Sequence, residues 1–165
     1  MEVRVERVAA ETTFPLRWRV LRPHLPRPEQ TVLPGERAAG AVHLAALTAD
    51  GEVVATAVLV RETFACWPER TEAWRLRGMA TEERLRSQGI GGRLLRRAIE
   101  HVTDAGGGLL WCHARVPAQA FYERAGFTAV GEAWEEPHLG PHVAMWLEVP
   151  GAVPDGRADV SWRPG

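Results

Sequence analysis

The sequence predicts a single α/β domain, and three observations carry that reading. Apolar runs of strand length recur along the chain, two stretches have the spacing of amphipathic helices, and Pro and Gly clusters punctuate them with no break in composition that would mark a second domain. At 165 residues the chain is long enough to bury one sizeable core. The domain is expected over residues 1–149, with residues 150–165, rich in Pro, Gly and Asp, as a C-terminal tail.

The elements follow in order. Val3, Val5 and Val8 are set among Glu2, Arg4 and Glu6, close to the period of a half-exposed strand. Thr12 or Thr13 is placed to cap a helix whose early Pro15 is tolerated, with Leu16, Val20 and Leu21 on its inner face. Prolines 23, 26, 28 and 34 then interrupt regular structure from Arg22 to Gly40. Val42–Leu47 and Val53–Val60 read as antiparallel strands joined by a turn containing Asp50-Gly51. Glu72–Thr81 is a fourth strand, with Trp74, Leu76 and Gly78 on one face, and an interior glycine such as Gly78 marks a bulge.

The longest helix begins at Ile90. Its apolar residues Ile90, Leu94, Leu95, Ala98, Ile99 and Val102 form one stripe, while Arg93, Arg96, Arg97 and Glu100 face water. It ends at Ala105 before Gly106–Gly108. Leu109–His113 reads as a short buried strand, and Pro117 opens a helix with Ala118, Phe121, Tyr122 and Ala125 on its apolar side. Phe127–Ala133 and Val143–Val149 are the last two strands, with Trp134–His142 as the loop between them.

The chemistry is concentrated before the long helix. Gly89, Gly91 and Gly92 remove β-carbons from a helix start, where unpaired N–H groups and the helix dipole favour an anion such as a pyrophosphate. A Walker-type loop is excluded, since the chain contains no lysine, and the third glycine of a dinucleotide fingerprint is missing at Leu94. A net charge of −1 argues against nucleic-acid binding. Cys66 and Cys112 have no zinc spacing, so no metal is expected. The charged N-terminus is no signal peptide and no apolar run is long enough to cross a bilayer, so the expected location is the cytoplasm, away from membranes.

The segment Arg86-x-x-Gly89-x-Gly91, preceded by Trp74–Thr81 and followed by Ala120-Phe-Tyr-Glu-Arg-Ala-Gly-Phe127, resembles two motifs of the GNAT superfamily of acyl-CoA N-acyltransferases. The resemblance covers roughly Val42 to Val149, with Ser87, Glu83 and His113 departing from common family residues. It implies a mixed sheet of about seven strands with about four helices and a cleft between splayed strands four and five. It further implies acetyl-CoA as co-substrate, held by Met79, Ala80 and Thr81 along the pantetheine arm and by Arg84, Arg86, Ser87, Gln88, Gly89, Ile90, Gly91 and Gly92 around the pyrophosphate. Tyr122, the only tyrosine, would stand near the thioester sulfur, and a strand-four amide, Met79 or Ala80, would meet the oxyanion.

The expected reaction is acetyl transfer to a primary amine of a small molecule or peptide, by direct attack in a ternary complex. The base stays open among Glu62, Glu72, His113, His138 and His142, with water as a further route; His142 and Glu72 join Tyr122 as the catalytic candidates. Trp134, His138 and His142 are the candidate acceptor wall, with Trp67 a further aromatic candidate. The alternatives are a non-catalytic acyl-CoA sensor and a transferase acting on protein lysine or N-terminal amines. A homodimer is left open.

Overall fold

In β1 (Val3–Arg7) the inward valine Val3 is buried while its charged neighbours stay out, as alternation requires. β2 (Val42–Thr48) and β3 (Val53–Arg61) carry apolar residues at nearly every position, and β2 is buried throughout. Two covered faces explain that pattern. Val42, Leu44 and Ala46 pack with Leu94, Leu95 and Ala98 of helix α2 (Ile90–Asp104), whereas the alternate residue His43 lies beneath helix α1 (Ala10–Leu21), beside Arg17's partner Glu36. The computed structural model described here covers residues 2–152, so the tail expected at 150–165 lies outside the described residues beyond Ala152.

The remaining strands are β4 (Ala73–Thr81), β5 (Gly108–Arg115), β6 (Thr128–Glu136) and β7 (Gly140–Val149), with helix α3 (Gln119–Arg124) between β5 and β6. They form one seven-stranded sheet in the order β1-β2-β3-β4-β5-β7-β6. All neighbours are antiparallel except β4 and β5, which run parallel, so the sheet is mixed. Among the described residues there are three α-helices where about four were expected. The stretch after α1 contributes only a 3-10 turn, Pro28–Thr31, because its prolines lack the N–H that an α-helix needs.

Two further expectations are corrected. Helix α1 starts at Ala10 without a side-chain cap; the Thr13 hydroxyl instead donates to the Ala10 carbonyl at 2.7 Å. Its buried face is Thr13, Phe14, Leu16 and Arg17, whereas Val20 and Leu21 are only half-buried. The segment 134–142 is strand on both sides of a short turn, with Trp134 opposite His142 and Glu136 opposite Gly140. Pro141 sits one residue beyond the last β5–β7 pair, Arg115–His142, and opposite Glu135 of β6, at the end of the strand where a proline is best tolerated.

The fold is opened at one place. Between the β3–β4 pairs Thr56–Ala80 and Val58–Arg77, the two residues Gly78 and Met79 stand against Ala57 alone. This is the bulge that an interior glycine signalled. Gly78 has φ +59°, and the Thr56 hydroxyl donates to its carbonyl at 2.9 Å. On its other edge β4 pairs with β5 only from Ala73–Leu109 to Leu76–Cys112. From Arg77 onward the two strands part, and the backbone of residues 77–81 on that side has no strand partner.

Candidate active site

Where β4 and β5 diverge, a cavity of about 230 Å³ passes through the sheet. It lies below the usual range of roughly 300–1,000 Å³ for drug-sized ligands, a size suited to a small metabolite or one side chain. On the α2 side it is lined by Leu76, Cys112, Ala118 and Tyr122; on the α1 side by Arg22, Arg77, His113, Arg115, Trp134 and His142, with Met79 at the bulge.

The start of α2 lies next to this opening. A β-carbon on Gly91 would sit 3.3 Å from the Thr81 hydroxyl and 3.6 Å from Phe121, so glycine there lets the helix start approach both the end of β4 and α3. Gly89, the N-cap, holds φ +81°, a conformation that disfavours any side chain. No side chain caps the helix, its first turn contains no acidic residue, and the first ladder bond is donated by the Arg93 amide to Gly89 at 3.1 Å. Among the described residues the amides of Ile90, Gly91 and Gly92 therefore have no partner, and a β-carbon on Gly92 would meet nothing within 4 Å. Unpaired donors around open space suit a diphosphate. Of the flanking arginines, Arg84 is exposed and paired with Glu52 at 3.0 Å, and Arg86 is exposed beside Ser87, whose φ is +67°. Gln88 is exposed in the same loop, and Ala80 is buried in β4.

Tyr122 is buried between Phe121 and Phe127, at 5.1 and 5.5 Å between ring centroids. Burial, with Cys112 nearby, raises its phenol well above the usual range, so it stays a proton donor throughout the neutral and mildly alkaline region. Burial likewise pushes the Cys112 thiol up to about 12, which leaves it a thiol and a poor nucleophile. Cys66 is exposed and does not line the cavity.

The two cavity histidines differ in what they offer. His142 is buried, and its Nδ1 lies 2.9 Å from the Gly140 carbonyl, which only accepts; Nδ1 therefore carries the proton and Nε2 of the neutral ring keeps a free lone pair. His113 has the opposite arrangement. Arg75 Nη2 donates to its Nδ1 at 3.1 Å, so the proton sits on Nε2 and no lone pair is left to accept one. Desolvation and the charges of Arg75 and Arg77 hold its imidazole down to about 4, which keeps the ring neutral.

Other sequence candidates are not brought here. Glu72 is exposed at the start of β4, 2.5 Å from Arg70 Nε and outside the cavity lining; a carboxylate held by that arginine cannot reach an amine in the cleft. Glu62 is tied to Arg75 at 2.9 Å. His138 is exposed at the tip of the β6–β7 turn, stacked on His24 at 4.7 Å. Trp67 packs on Phe64 and Trp146 away from the cleft, whereas Trp134 lines it, edge-on to His113 at 4.8 Å.

The sequence reading missed the polar framework of the site. Arg17 is buried on α1, with Nη2 2.7 Å from Glu36 Oε2, Nη1 3.0 Å from the Thr13 hydroxyl and a further bond to the Thr31 carbonyl. Glu36 also accepts from the Leu33 amide at 2.6 Å. Burial alone would raise the Glu36 carboxyl; His43, whose Nε2 lies 3.4 Å from Oε1, together with hydrogen bonds from Arg17 and the Leu33 amide outweighs it and holds the group at about 2. The pair fastens the 22–40 segment to α1, and the Arg17 stem passes under the bulge, 3.4 Å from where a Gly78 β-carbon would be. Glu136, also missed, lines the cavity and accepts from Trp134 Nε1 at 3.0 Å.

Comparison with known proteins agrees with this geometry. The profile of the acetyltransferase (GNAT) family matches residues 9–127. An N-acetyltransferase of Bacillus subtilis, YitI, described as uncharacterized, is 32% identical over 142 residues, which span 86% of this chain and 93% of that protein. Among solved structures, Escherichia coli ElaA superposes with a TM-score of 0.70 at 21% identity, covering 89% of this chain and 100% of that one. The ribosomal-protein-S18-alanine N-acetyltransferase of E. coli gives 0.71 at 18% identity, covering 93% and 98%. At these identities the two structures speak for the fold.

Proposed function

The chain belongs to the GNAT family and is an acyl-CoA-dependent N-acyltransferase, and we propose that it moves an acetyl group from acetyl-CoA to a primary amine by direct attack in a ternary complex. The observation that carries this reading is the set of unpaired amides at Ile90, Gly91 and Gly92 beside a cleft that also holds Tyr122 and His142. The amides, with those of Gln88 and Gly89, grip the pyrophosphate, and Arg84 and Arg86 reinforce them. The open edge of Met79, Ala80 and Thr81 pairs with the pantetheine arm as a neighbouring strand would.

In the transfer the amine nitrogen forms a C–N bond to the thioester carbon and the C–S bond breaks. His142 Nε2 takes the proton that the nitrogen must lose, and a β4 amide at the bulge, Met79 or Ala80, meets the carbonyl oxygen. Tyr122 donates a hydrogen bond from its hydroxyl to the departing sulfur. A thiol of pKa near 8.5 is more acidic than the phenol, so the hydrogen bond stabilises the leaving thiolate without the proton having to cross. The neutral thiol of Cys112 favours direct attack over an acyl-cysteine.

The reading is tested by following free thiol released from acetyl-CoA over a panel of amines. Turnover with an acceptor is expected, with both substrates required together. Bound acetyl-CoA with no turnover on any amine favours the sensor, and no affinity for acetyl-CoA overturns the reading altogether.

A further inference from the structure

The charge lining the acceptor side of the cleft says what kind of amine belongs there, an inference that rests on the transfer proposed above. Two of the cavity arginines are already neutralised: Arg17 by Glu36 at 2.7 Å and Arg75 by Glu62 at 2.9 Å. Three are not. Arg22 closes the C-terminus of α1, Arg77 stands on β4 just where it leaves β5, and Arg115 ends β5. Among the described residues no carboxylate lies within 4.0 Å of any of the three. Among the described residues the only side-chain bond they make is from Arg115 Nη2 to the Leu21 carbonyl at 3.1 Å, which holds that guanidinium in place beside the end of α1.

The cluster is expensive for the fold to keep. Three half-buried cations from separate elements face one cavity of about 230 Å³, and the one acid among its described lining residues, Glu136, makes no ion pair within 4.0 Å although its charge reaches Arg22. Burial and the charge of Arg75 hold Arg77 down to about 10, and burial lowers Arg22 and Arg115 as well, yet all three remain charged near neutrality. The chain as a whole carries a net charge of −1, so this positive site is a local feature. Guanidinium groups left without counter-ions in a partly dry cavity are relieved by an anion, and their planar forks match carboxylate or phosphate oxygens.

We infer that the acceptor is a small amine that also carries an acid group, a carboxylate or a phosphate. The acid rests on Arg22, Arg77 and Arg115, while the amine turns to Glu136, which holds it as ammonium, and to His142, which takes its proton. The proposed diphosphate seat lies at the start of α2, on the other face of the sheet from Arg22 and Arg77, while Arg115 is near enough to Arg86 to feel its charge.

Calorimetry on protein saturated with coenzyme A, so that the α2 amides are occupied, tests the site with two probes, succinate and inorganic phosphate. At least one should bind, and Arg77→Gln or Arg22→Gln should weaken it tenfold or more while affinity for coenzyme A stays unchanged. Matched acceptors give a second reading: β-alanine against propylamine, and O-phosphoethanolamine against ethanolamine. The acid-bearing member of at least one pair should have a kcat/KM at least tenfold higher, and the pair that shows it separates carboxylate from phosphate. Absence of binding by both anions, binding indifferent to both substitutions, or equal use of the neutral amines overturns the inference. Failure of coenzyme A itself to bind would instead count against the transferase reading.

Discussion

At His142 the Nδ1 proton is committed to the Gly140 carbonyl, and at His113 the Nδ1 lone pair is committed to Arg75. These patterns separate two residues of the same type in one cavity. His142→Gln should lower kcat/KM by about 10²-fold, the usual scale for losing a general base. His113→Asn should lower it far less, because the His113 Nδ1 lone pair is already taken by Arg75. Tyr122→Phe should reduce kcat by about 10-fold to 100-fold with affinity for coenzyme A unchanged, measured as turnover and calorimetry side by side. Tyr122 and the three glycines were legible because their spacing forms motifs. The arginines were not: Arg75 and Arg77 occupy alternate positions of a strand, opposite Trp74 and Leu76, and only the folded sheet shows that this face opens onto a cleft. His142 was legible as a residue type, but its free nitrogen depends on a carbonyl two residues away in a strand that was read as a loop.

At the level of elements, the bulge in β4 and the ion pair under it act together. Gly78→Ala would place a methyl 3.2 Å from Val58 and 3.4 Å from Arg17 at φ +59°, so it should cost about 1–3 kcal/mol, seen as a fall in Tm, and lower activity through the displaced strand. Glu36 has a folded pKa depressed from 4.5 to about 2, so its contribution is full above about 4.5 and is lost as pH falls toward 2. The amount is on the order of 3 kcal/mol, and Glu36→Gln should flatten the stability–pH curve in that window while destabilising the protein at neutral pH, as denaturant titrations across pH would show. The strands were legible because period-two patterning and Asp50-Gly51 are local signals. The Arg17–Glu36 pair joins residues 19 apart through a segment without periodicity, and no local rule reaches across it.

For the molecule as a whole, the sheet in the proposed reading separates two kinds of anion site. Bare amides at the start of α2 face one side, arginine side chains at the end of α1 and on β4 and β5 face the other, and the parting of β4 from β5 connects them. On that proposal donor and acceptor would meet from opposite faces, at Tyr122 and His142. Acetyl-CoA at about 100 times its Kd should stabilise the fold by about 2.7 kcal/mol, a rise in Tm of several degrees. The most direct measurement is calorimetry of coenzyme A on the wild type and on Gly92→Glu. A β-carbon at position 92 meets nothing within 4 Å among the described residues, and a carboxylate in the first turn of a helix favours the fold, so Tm should hold or rise while affinity falls at least tenfold. Equal affinity in the two proteins would contradict the assignment of the α2 amides as the diphosphate seat.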